Sequence, residues 1–143
     1  MSVEHNKALF RRLLDELNRG NLGVVDEIVA PDAILIAPHH PDPAHGPAEF
    51  KAEFGGAGAA LDLQYTLEEQ VAEGDRVAAR FIARGTHQRE FLGIPPSRRP
   101  LEIPVQVLYR VADGKITEYR LSFDQLDLLR QLGAAPGSTA APS

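Results

Sequence analysis

"LEIPVQVLYRVADGKITEYRLSF", Leu101–Phe123, decides the fold. Two runs rich in β-branched and aromatic residues flank Asp113-Gly114. Both central positions of a tight primed turn need positive φ, which Asp-Gly adopts at little cost, so the stretch predicts an antiparallel hairpin. Upstream, "DLQYTLEEQVAEG" (62–74) and "RVAARFIARGTHQ" (76–88) read as two more strands that turn at Gly74-Asp75. Downstream, "DQLDLLRQLG" (124–133) reads as a short helix ended by Gly133. The second half of the chain is therefore an antiparallel meander with a closing helix.

The first half reads differently. In "EHNKALFRRLLDELNRGN" (4–21), Leu9, Phe10, Leu13, Leu14 and Leu17 share one face at helical spacing, and charged residues take the other. A short second helix follows, with Asn21 as a cap, Leu22, Val25, Ile28 and Val29 as its apolar stripe, and Pro31 as its stop. "DAILIA" (32–37) is a buried strand and "PHHPDPAHGP" (38–47) a rigid loop. Pro47 suits the first turn of a third helix, which carries Phe50 and Phe54 one turn apart and ends at "GGAGAA" (55–60). Helices first and strands afterwards predict an α+β fold, a cone of three N-terminal helices packed on a curved, mostly antiparallel sheet. Residues 1–133 make a single domain, and the small polar tail 134–143 is expected to be disordered.

Composition bounds the function. The 143 residues are 43% hydrophobic and 24% charged, ordinary for a globular domain. There is no cysteine, which excludes disulfides and thiolate chemistry. The formal net charge of −5 comes without a basic stripe, so nucleic acid is not an expected partner. No apolar run reaches membrane-spanning length and the first residues do not resemble a signal peptide, so a cytoplasmic protein is expected.

The stretches "NRGNLGVVDEIVAPDA" (18–33), "EGDRVAARFIARGTHQREFLGIPPSRRPLEI" (73–103), "LYRVADGKITEY" (108–119) and "DQLDLLRQLG" resemble the SnoaL-like polyketide cyclases and ester cyclases, within the superfamily named after nuclear transport factor 2. The resemblance covers nearly all of residues 5–133. It implies a cofactor-independent acid/base enzyme that cyclises or isomerises a small, carbonyl-rich, mostly apolar substrate, and it implies a homodimer. It also implies that the acid/base aspartate of such cyclases matches Asp124, although Asp at that position is equally a favoured helix N-cap.

Around Asp124, strand alternation predicts that Glu118, Arg120 and Ser122 share its face. Many relatives carry His-Trp where this chain has Tyr119-Arg120. An Arg120–Asp124 pair would weaken the aspartate as a base and brings epoxide hydrolysis into view, with Gln106 as the facing polar group. The base of the isomerase branch would fall near Ala37, which rejects that branch.

His39, His40, Asp42 and His45 cluster in the proline-rich loop. Their spacing fits no zinc motif, and no metal or cofactor is expected; His39 or His40 at the mouth of a pocket is the middle reading. Phe50, Phe54, Tyr65, Phe91, Leu92 and Ile94 are the candidate substrate-binding residues, with Pro95-Pro96 fixing the path of the greasy connector. His87 reads as structural, and Tyr109 either as a pocket hydroxyl or as core. A binding protein without catalysis and a dimeric scaffold with a closed pocket stay open as alternatives.

Overall fold

The structure is a computed structural model that describes residues 2–133. The expected tail, 134–143, lies outside the described residues. Helix α1 (Val3–Asn18) is capped by Ser2, whose hydroxyl accepts from the His5 amide. Its apolar face buries Phe10 and Leu13 completely, each contributing on the order of 2–3 kcal/mol of transfer free energy. Helix α2 (Val24–Ile28) is a single short piece; Gly23 caps it, and Asn21 accepts from the Gly23 amide.

Strand β1 (Val29–Ile36) starts directly after α2 and absorbs Pro31 in an irregular register. Its C-terminal part pairs in parallel with β6 (Lys115–Phe123), the one parallel pairing among the described residues. A two-residue strand, β2 (Ala44–His45), pairs with β1 inside what the sequence reads as plain loop. Strands β3 (Gln64–Glu73), β4 (Arg76–Thr86), β5 (Pro100–Ala112) and β6 form the antiparallel meander. The six strands run in the order β2-β1-β6-β5-β4-β3. Asp113 and Gly114 take φ of 53° and 77°, as the primed turn requires.

Helix α3 (Gly46–Leu61) runs through "GGAGAA" instead of ending there. Small residues serve packing at that point: a Cβ on Gly55 would come within 3.0 Å of Leu22 Cδ1. The helix stops at Asp62, which adopts the left-handed conformation. Gly85 on β4 passes so close beneath this end that a Cβ would lie 2.0 Å from the Leu61 carbonyl oxygen. Helix α4 (Gln125–Leu132) is closed by Gly133 at φ 89°.

The helices cover one face of the sheet. Odd-numbered residues of β5, from Leu101 to Val111, point into that core, and even-numbered ones face out. Phe10 stacks among Phe81, Tyr109 and Tyr119, with ring centroids 5.4–6.3 Å apart.

Candidate active site

The core does not close completely. Between α3, α4 and the inner faces of β3–β6 lies a cavity of about 80 Å³. Phe54, Phe81, Phe91, Phe123, Ile103 and Val105 supply most of its wall. Its polar contributors are His39, Glu53, Tyr65 and Tyr119.

Glu53 comes from the middle of α3, one residue before Phe54, and its side chain is only 8% exposed. His39 and His40 come from the loop after β1, and their rings lie 4.3 Å apart. His39 Nε2 donates to Glu53 Oε2 at 2.7 Å, and His40 Nε2 meets Oε1. His39 is as buried as its partner, at 6%, whereas His40 is half exposed. With Nε2 given to Glu53, His39 Nδ1 is left buried with no hydrogen-bond partner. Burial pushes the Glu53 pKa up, but the hydrogen bonds and positive charge of His39 and His40 outweigh it. The net effect is below the ordinary value, so Glu53 stays a carboxylate.

The loop's prolines and β2 hold this arrangement. Pairing of Ala44 and His45 with β1 folds the loop back toward α3, and Glu49 accepts from the His45 amide at the helix start. The rigid segment thus ends where α3 begins, and the two imidazoles meet a carboxylate two turns along the helix. Two imidazoles and a carboxylate, all within 4.8 Å, are also a donor set suited to a divalent transition metal.

The connector between β4 and β5 closes one side of the cavity. Phe91 and Ile94 exchange both backbone hydrogen bonds across Leu92-Gly93, at φ 53° and 78°, so the greasy stretch is a miniature hairpin. Phe91 lines the cavity and Ile94 packs against the core. Leu92, at the tip, is exposed. His87 anchors the connector: it is fully buried, and its Nδ1 accepts from the Ser97 amide at 3.1 Å.

The remaining residues of interest lie elsewhere. Phe50 is wholly buried in the core and Phe54 lines the cavity. Gln106 and Arg120 are exposed on the outer face of the sheet, because they share its even-numbered register. Arg120 pairs with Glu118. Asp124 is exposed and caps α4, its Oδ1 accepting from the Asp127 amide at 2.9 Å. Arg120, Asp124 and Gln106 therefore do not converge on the cavity. Glu53 was absent from the sequence reading, since an isolated Glu on a helix looks like solvent-facing polarity; its only signal was its place one residue before Phe54.

The fold is an α+β cone, helices packed on one face of a six-stranded mixed sheet, and SnoaL-like solved structures share it. The family profile of SnoaL-like polyketide cyclases matches residues 8–132, and the chain belongs to that family. It is 32% identical to the nogalonic acid methyl ester cyclase of Streptomyces nogalater, over 85% of this chain and 92% of that protein. It is 31% identical to an aklanonic acid methyl ester cyclase of Streptomyces sp. strain C5, over 87% and 80%. Among solved structures, a SnoaL-like protein of Jannaschia sp. CCS1 superposes with a TM-score of 0.84 at 27% identity, covering 93% of this chain and 94% of that one. TsrD of Streptomyces laurentii superposes with a TM-score of 0.83 at 27% identity, covering 94% and 98%.

Proposed function

We propose that the protein is a cofactor-independent cyclase of a carbonyl-rich, polyketide-derived ester, and that His39 and Glu53 are its acid/base pair. The single observation that carries this reading is the buried His39–Glu53 hydrogen bond beside the cavity, with His39 Nδ1 left without a partner. A carboxylate held below its ordinary pKa is a poor base but a good orienting partner. It fixes the Nε2–H tautomer and favours the imidazolium formed later. Imidazole is the side chain whose ordinary titration lies nearest neutrality.

The reaction then needs no metal or redox group. Nδ1 takes a proton from a carbon flanked by two carbonyls. The enolate carbon attacks a carbonyl of the same molecule and forms the ring bond. The new alkoxide takes the proton back from Nδ1–H. Atoms balance within one substrate molecule. The apolar walls hold the chain folded for attack, which lowers the entropic part of the barrier. About 80 Å³ is ample for water and too little for several fused rings.

The test uses aklanonic acid methyl ester and nogalonic acid methyl ester, the compounds in its relatives' names, and simpler β-keto esters followed by deuterium uptake in NMR. His39→Ala lowers kcat by at least about 100-fold. Glu53→Gln does comparable damage by offering the wrong partner to Nε2. Undiminished turnover or exchange in both variants rejects the pair. We further propose a cytoplasmic homodimer. What supports the dimer is an apolar stripe on the outer sheet face, where Val71 pairs with Ala78 and Ala78 with Leu108, the first and last largely exposed.

A further inference from the structure

The chain has three tyrosines, and they divide into two kinds. Tyr109 is fully buried and its hydroxyl is committed: it donates to the Asn6 carbonyl oxygen at 2.6 Å. Tyr65 and Tyr119 also project into the interior, from β3 and β6, and both line the cavity. Neither hydroxyl has a hydrogen-bond partner among the described residues. Their rings are wedged by neighbours, Tyr65 against Phe81 at 5.8 Å and Tyr119 against Phe54 and Phe50 at 5.8 and 6.2 Å. The hydroxyls are therefore held in place by packing alone. Neither hydroxyl is sealed off as His39 Nδ1 is, and both side chains line the cavity, so both are open to an acceptor that arrives there with a ligand.

The acceptor's chemistry follows from the surroundings. Burial, with the Glu53 charge adding to it, pushes the Tyr65 pKa up to about 12; burial raises Tyr119 well above its ordinary value, with the neighbouring tyrosines and Glu53 adding to it. Both stay neutral O–H donors. Neutral donors in an apolar, water-poor cavity gain most from an oxygen that becomes negative there. A neutral carbonyl gains less, because hydrogen bonds to charged groups are the stronger ones.

We propose that Tyr65 and Tyr119 form an oxyanion site for the enolate oxygen of an enolisable carbonyl substrate, in the cavity that His39 also lines. This rests on the acid/base reading above, and the two are tested separately.

The probe is 4-nitrophenol, a single ring whose phenolate mimics an enolate and whose absorbance reports its ionised fraction when bound. Wild-type protein prefers the phenolate over the neutral phenol. Tyr65→Phe and Tyr119→Phe each reduce that preference by about tenfold, the value of one hydrogen bond to an anion. Tyr109→Phe leaves the preference unchanged and lowers the unfolding midpoint instead. His39→Ala keeps the tyrosine effect while losing proton exchange, so a failed base does not mask the oxyanion site. A phenolate preference that is equal in wild type, Tyr65→Phe, Tyr119→Phe and the double variant overturns the proposal. So does failure of the wild type to bind the phenolate.

Discussion

At the scale of single residues, Glu53 is the group on which the site turns. Its carboxylate is nearly out of solvent, and it is stabilised by two imidazoles contributed from a different element. A lowered folded-state pKa contributes stability that is present above the unfolded value and is lost as pH falls through the folded value. Urea unfolding across the acid range therefore shows wild type losing stability as pH drops below the ordinary glutamate range. Glu53→Gln is less stable at neutral pH and flatter across that window. Identical pH profiles for the two proteins would show that Glu53 carries no such linkage. His39 belongs to the same argument. His87 is also fully buried with one ring nitrogen, Nε2, left without a partner; what separates His39 is that it lines the cavity and pairs with Glu53, whereas His87 holds Ser97 away from it.

At the scale of elements, each end of a helix or strand sets a side chain's role. Asp124 sits at the start of α4 with its carboxylate on the Asp127 amide, and that bond directs it along the helix and away from the cavity. Asp124→Ala is expected to cost about 1 kcal/mol of stability, the usual value of an N-cap, and to leave kcat within about twofold. Thermal unfolding and turnover of the two methyl esters measure both; a loss of kcat as large as that of His39→Ala would return the aspartate to the chemistry. The Pro-rich loop makes the opposite case. Its sequence reads as an exposed connector, yet β2 pins it to β1 and delivers His39 to the core.

At the scale of the whole molecule, the two faces of the sheet divide the labour. The inner face makes the cavity; the outer face carries Gln106, Arg120 and the Val71–Ala78–Leu108 stripe. Leu108→Glu places a charge at one end of that stripe. Light scattering after size exclusion is expected to show a dimer for wild type and half that mass for the variant. A monomeric wild type rejects the dimer outright. The sequence by itself determined the helix and strand order, the Asp113-Gly114 hairpin and the apolar character of the connector, because these depend on local periodicity and turn chemistry. It also carried the family resemblance. Only the tertiary structure decided that β1 lies parallel to β6, that α3 runs through its glycines, and that Glu53 meets His39. Those outcomes depend on contacts between segments far apart in the chain. Neither residue's immediate neighbours in sequence record the burial that turns an ordinary glutamate and a loop histidine into a pair.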